Sequence, residues 1–291
     1  MALLIIGTGW ALAQDSGSMT QPLDYIKKNL KYGEAIELEA NGKKQFAIYT
    51  PPFSRVVQGG AILLPDRNTH PDWPQVIAPL RRQLPRFGWA TLSIGLPPFE
   101  PAAGETARET FFAAATDTIN AAIRYLQGRN VKTIVLIGYG TGAVAAAKFL
   151  SENSSVEISG FAAVAMPGIA DPKSPLNTST DLQKIPVPVL DLFGTNDNDS
   201  VTQSAEKRAL AARQAGRAAE TARTPKTFLR TESLQADTPP GAARTGSYRQ
   251  VAVTGADHGF TGLSDVLVKR VRGWLHRISS RPDLPKTESA S

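Results

Sequence analysis

The chain has no cysteine, which excludes disulfides, a thiol nucleophile and a thiolate-held metal. Histidine is scarce too: His70, His258 and His276 are the only three in 291 residues. The apolar run at the N-terminus is about a dozen residues long, too short to span a bilayer. There is no Walker loop, no dinucleotide fingerprint after the first strand and no nucleic-acid module, so a nucleotide role is rejected. What is present is ordinary globular composition, 42% apolar and 20% charged, in a chain long enough to bury a sizeable core.

The N-terminal stretch "MALLIIGTGWALAQDSGS" ends its apolar run in Ala11-Leu12-Ala13, an A-x-A cleavage pattern, although no basic residues precede it. Residues 1–13 are expected to be a signal peptide and the protein periplasmic; the rival reading is a buried N-terminal strand. Residues 14–34 form a lead segment, 35–280 a single domain, and "RPDLPKTESAS" (281–291) a disordered tail. No internal repeat and no linker divides the domain.

Within it, "EAIELEANGKKQFAIYTP" alternates around Asn41-Gly42 and predicts a hairpin. A continuous apolar run at 59–66 predicts a strand buried on both faces, a buried strand follows at 131–140, and further strands are read at 89–97, 158–168, 187–197 and 247–259. Helical spacing falls between them, at 74–88, at 105–130 closed by Gly128, at 141–153, at 199–223 and at 264–280. Such alternation gives an α/β fold: a mostly parallel sheet with helices on both faces and an antiparallel N-terminal hairpin. Ligands bind such sheets at the carboxyl ends of the strands.

Three motifs fall at those ends, in the order nucleophile turn, acid, histidine. "GYGTG" (138–142) follows one strand, Asp197 in "LDLFGTNDND" follows another, and His258 in "GADHGF" follows a third. On these motifs the chain resembles the α/β-hydrolase superfamily over roughly residues 35–280. With "LLPDRNTHPDWPQVIAPLRRQLPRFGWATLSIGLP" added, it more closely resembles the bacterial DUF3530 family. That resemblance implies an exported α/β-hydrolase-like protein and leaves its activity open.

The nucleophile position is Gly140, where a serine is needed. A serine attacks because histidine takes its proton while the acid fixes the imidazole; glycine has nothing to offer. For Thr141 to serve instead, the register would have to slip and put Tyr139 in a position that must be small. Glycine also tolerates the strained backbone of this turn. The amides from Thr141 onward remain a candidate anion or carbonyl site at a helix start. The loop "PDRNTHPDW" brings Arg67, Asn68, His70, Asp72 and Trp73 to the same end of the sheet.

His70, Asp72, Trp73 and Thr141 are therefore candidate ligand contacts, with Asp197 and His258 as the triad-like acid and histidine. For Asp72 and Trp73 the plainer readings are helix N-capping and packing. His276 reads as a surface residue, Asp191 as a buried or paired strand acid, Asp199 as a helix cap, and Ser200 as a helix cap rather than a nucleophile. No metal is assigned, since no H-x-x-x-H spacing occurs, and no cofactor is implied.

The charge excess is local. Residues 200–250 hold nine Lys and Arg against four acids, most of the chain's net +6. Without interleaved aromatics this does not read as a nucleic-acid face. The leading expectation is a degenerate, non-catalytic α/β-hydrolase-fold protein of the cell envelope that binds a small ligand or an envelope protein. One rival is an ester or amide hydrolase using His258 and Asp197 with a water or an unconventional nucleophile. Another is an interaction protein meeting anionic surfaces through the basic helix, with Arg208, Arg213 and Arg217.

Overall fold

Asn41 and Gly42 both adopt positive φ, 49° and 73°, the backbone that lets a two-residue turn follow the twist of its strands. They join β1 (Glu34–Ala40) to β2 (Lys43–Thr50) in an antiparallel hairpin. The structure, a computed structural model, describes residues 23–99, 104–168, 177–223 and 247–279, with 215–223 described in backbone only. The expected signal peptide, the tail and the part of the basic stretch at 224–246 lie outside the described residues.

The remaining strands are β3 (Gly59–Leu64), β4 (Trp89–Ile94), β5 (Ile134–Tyr139), β6 (Gly160–Val164), β7 (Val189–Gly194) and β8 (Tyr248–Val253). The sheet runs β1-β2-β4-β3-β5-β6-β7-β8 and is parallel from β4 through β8. Every residue of β3 to β7 is buried, as expected of strands covered on both faces.

One face carries α3 (Glu105–Gln127), α4 (Thr141–Glu152) and α5 (Thr178–Lys184), packed around Phe111, Ile119, Phe149 and Leu182. The other carries α2 (Ile77–Gln83), a 3-10 turn at Leu84–Phe87 and α8 (Ser264–Ser279), packed through Leu80, Leu267, Val271 and Leu275. Two features depart from expectation. The lead segment contains a helix, α1 (Leu23–Asn29), which buries Ile26 beside Phe46 and Ile48. The predicted 199–223 helix breaks into α6 (Asp199–Thr202) and α7 (Ala205–Arg223).

The order of strands positions the site. From β3 the chain steps outward to β4, then returns past β3 to place β5 on its other side. The carboxyl ends of β3 and β5 therefore flank the point where the winding reverses, the usual crevice of an open α/β sheet.

Candidate functional site

At the end of β5, Gly140 has φ 54° and ψ −119°, a conformation that favours glycine. The turn is tight on both sides. A Cβ on Gly138 would overlap the backbone of Ala143, and one on Gly142 would overlap the carbonyls of Leu64 and Pro65. The sharp strand-to-helix turn is thus intact, and its point carries no side chain.

The space above that point is filled from β3. A Cβ on Gly140 would overlap the carboxyl group of Asp66. Asp66 Oδ1 accepts from the Thr141 amide at 2.7 Å and from the Arg67 amide at 2.7 Å. Its Oδ2 lies 3.1 Å from His258 Nε2. One carboxylate therefore occupies a two-amide cradle with one oxygen and takes the histidine's proton-bearing nitrogen with the other. A turn closed by Thr69, whose hydroxyl donates to the Asp66 carbonyl at 2.7 Å, holds it there.

His258 Nδ1 is 2.6 Å from Asp197 Oδ1, and Asp197 Oδ1 also accepts from the Asn198 amide at 2.8 Å. The two loops are tied to each other. Thr195 N donates to the Val253 carbonyl at 3.0 Å, Asn196 N to the Ala256 carbonyl at 2.9 Å, and Gly255 N to Thr195 Oγ1 at 2.8 Å. Asp257 Oδ1 fixes the next turn by accepting from the Thr261 amide at 2.8 Å. Beneath the imidazole lies the buried Tyr139, with ring centroids 5.1 Å apart.

The electrostatics follow from two carboxylates around one imidazole. Burial disfavours the charged imidazole, but hydrogen bonds and charge from Asp197 and Asp66 prevail and push its pKa up to about 9. Burial likewise opposes ionisation of Asp66. The bonds from His258, Thr141 and Arg67 outweigh it and hold this carboxyl below its ordinary range. At neutral pH the imidazole is held protonated beside the Asp66 carboxylate. An imidazolium has no lone pair with which to accept a nucleophile's proton.

Residues 18–116 and 100–219 match the family described as "Protein of unknown function (DUF3530)". The chain belongs to this family. No curated protein matches it. Among solved structures it is similar to Est1E from Butyrivibrio proteoclasticus, at 12% identity and TM-score 0.61, over 86% of this chain and 100% of that one. It is also similar to an α/β serine hydrolase homologue from Coxiella burnetii, at 17% identity and TM-score 0.55, over 84% and 97% of the two chains. The esterase domain of a Rhodothermus marinus protein matches at 15% identity and TM-score 0.53, over 84% and 98%. At these identities the likeness establishes the α/β-hydrolase fold of this DUF3530 chain.

The structure brings Gly140, Thr141, Asp197 and His258 together, and adds Asp66, which the sequence reading passed over. The remaining candidates serve other networks. His70 is buried, its Nδ1 accepting from the Asp72 amide at 3.2 Å and its ring standing edge-on to Trp73. Burial pushes its pKa down against the charge of Asp72. Asp72 does not cap α2, whose N-cap is Val76 with no side-chain bond. It is bound instead by Arg81 and Arg82, its Oδ1 accepting from Arg81 Nη2 at 2.5 Å.

Arg81 is wholly buried and also reaches the Tyr32 carbonyl and Thr50; that guanidinium needs a carboxylate more than the helix needs a cap. Asp199 is likewise not a cap, since Asn198 precedes it and Asp199 and Ser200 lie inside α6.

Arg208 requires a further correction. The basic-helix reading needs it on an exposed face, but it is fully buried. Its Nε donates to Asp191 Oδ2 at 2.9 Å, and its Nη1 bonds Ser204 and the Val201 carbonyl. Tyr248 Oη and Gln250 Nε2 complete the shell around the buried Asp191, at 2.6 and 3.1 Å. Arg213 is exposed, and the Arg217 side chain lies outside the described residues.

Proposed function

We propose that this DUF3530 protein is a non-hydrolytic α/β-hydrolase-fold protein of the cell envelope, which engages a ligand or an envelope partner through the loops at the carboxyl ends of its strands. One observation carries the reading: the Asp66 carboxylate sits over Gly140, bonded at once to the Thr141 amide and to His258. A serine hydrolase needs three things there. A hydroxyl must reach the histidine, the histidine must be neutral, and the amide cradle must be empty to receive the substrate oxyanion. Here glycine supplies no hydroxyl, the imidazole is charged, and the cradle holds the protein's own carboxylate. The placement in the envelope rests on the apolar N-terminal run and its Ala11-Leu12-Ala13 pattern.

The rival is an ester hydrolase, the activity named for several structural neighbours, working here through a water set by His258 and Asp197. Hydrolysis of p-nitrophenyl acetate by wild type, His258→Ala and the double variant Asp66→Ala/Gly140→Ser separates the two. A silent wild type with turnover in the double variant is expected. Turnover by wild type that His258→Ala removes would overturn the proposal.

A further inference from the structure

A second concentration of chemistry lies at the opposite end of the sheet, on its outer edge. Side chains alternate faces along a strand. Since Tyr248 and Gln250 turn toward Asp191, Arg249 and Val251 face α8 across the other side of β8. Along α8, Lys269, Arg270, Gly273 and Arg277 recur on successive turns and face back. Between them is a cavity of about 180 Å³, floored by Leu190 and Val251 and walled by Arg249, Lys269, Arg270 and Arg277. Arg249 stands level with Leu190 in the amino-terminal half of β7, far from the carboxyl-end loops that hold Asp66.

The four cations are exposed, and neither ion pairing nor helix capping accounts for their convergence on one groove. Among the described residues, none of the four cations has a carboxylate partner. The negative end of the α8 dipole explains a cation in its last turn, where Arg277 sits. It does not explain Lys269 and Arg270 in the first half, or Arg249 on a strand. Burial and the charge of Arg249 push the Arg277 pKa down, as happens when two cations share one space without an anion. Gly273 is also unexplained by packing: a Cβ there would meet nothing within 4 Å. A mid-helix glycine weakens a helix, and here it leaves the middle of the groove open.

We infer that this groove between β8 and α8 binds a phosphate group. Guanidinium forks match phosphate oxygens in pairs, and an ammonium adds a point charge. The volume admits a phosphate and its immediate linkage; cavities for drug-sized ligands run roughly 300–1,000 Å³. The phosphate is either free in solution, as the inorganic ion or a small ester, or the headgroup of an anionic phospholipid. This inference is independent of the Asp66 centre.

The test uses the purified full chain in two arms. In one, thermal unfolding is followed in sodium phosphate and in sodium chloride of matched ionic strength. In the other, the protein is sedimented with vesicles of phosphatidylcholine alone or mixed with phosphatidylglycerol. The variants are Arg249→Gln/Arg277→Gln, Lys269→Gln/Arg270→Gln and, as a control on α7, the exposed Arg213→Gln. Protection by phosphate identifies a soluble ligand, and sedimentation only with phosphatidylglycerol identifies a headgroup. In either arm both groove pairs weaken affinity about tenfold or more, while Arg213→Gln leaves it unchanged. No signal from wild type in either arm, or a signal that both groove pairs leave intact, would overturn the inference.

Discussion

Asp66 Oδ2 stands 3.1 Å from His258 Nε2, directly over a glycine that has no side chain to offer the same nitrogen. The pair stands where a serine hydrolase would place a hydroxyl–imidazole contact, and it fills the space above Gly140. Introducing serine alone is therefore expected to fail. Gly140→Ser forces a Cβ into the Asp66 carboxyl group at positive φ, with an expected loss of about 1–3 kcal/mol and no ester turnover. Asp66→Ala/Gly140→Ser relieves the overlap, empties the cradle and frees His258 to become neutral. Urea midpoints and p-nitrophenyl acetate rates measured side by side check both halves. A single Gly140→Ser as active as the double would show that Asp66 yields its place freely.

The charge state of the trio predicts the pH dependence of stability. His258 has a folded pKa of about 9, above its ordinary 6.5. Its contribution is therefore complete below 6.5 and lost as pH rises through about 9, amounting to on the order of 3 kcal/mol. Asp66 is shifted the other way. Its contribution is present above the usual carboxylate pKa and lost as pH falls through its depressed value. Urea unfolding across pH 5 to 10 is expected to show a decline at the alkaline end that His258→Gln abolishes. Direct NMR titration of the His258 ring at an ordinary pKa would contradict the assignment.

Removing Asp66 exposes a site for the group it imitates. Asp66→Ala leaves the Thr141 amide and the His258 imidazole facing an empty seat shaped for a carboxylate. Acetate is expected to raise the unfolding temperature of Asp66→Ala and not of wild type. At ten times its Kd the gain is about 1.4 kcal/mol. Equal stabilisation of both proteins would mean that acetate binds elsewhere.

At the other end of the sheet, the Asp191–Arg208 pair is an anchor for α7. Both side chains are fully buried, so truncating either leaves an uncompensated charge. Asp191→Ala or Arg208→Ala is expected to cost about 3–5 kcal/mol. Tyr248→Phe removes one hydrogen bond to the same carboxylate and should cost about 1.5–3 kcal/mol. Chemical denaturation of the three variants reads the ranking directly. A mild Arg208→Ala would mean that the helix is held by its apolar residues instead.

Much of this architecture is legible in the chain because it rests on local signals. Runs such as "GGAILL" and "IVLIGY" have no polar residue to place outward, and Asn41-Gly42 announces its own turn. Gly140, Asp197 and His258 each follow a strand closely enough to be found by order alone. Asp66 is different. It follows a proline at a strand end, where an acid reads as an ordinary loop residue. Its meaning depends on β3 lying beside β5, a neighbour 75 residues away at Thr141.

Arg208 misleads for a related reason. An alanine- and arginine-rich helix looks solvated until Asp191, buried on a strand, is seen to need a partner. Asp72 looked like a cap because nothing nearby in sequence announces that Arg81 is wholly buried.

The contact between Asp66 and the bare Gly140 also bears on how this protein could change over time. Serine at 140 collides while Asp66 remains, and Asp66 lost alone leaves an empty cradle with no hydroxyl beside the histidine. On this geometry neither single change presents a hydroxyl to the histidine with room to hold it, and only the two together are expected to do so. Positions 66 and 140 are therefore epistatic. The glycine is held in place by a residue from the loop after β3, so a serine nucleophile at this turn is far less accessible than one codon would imply.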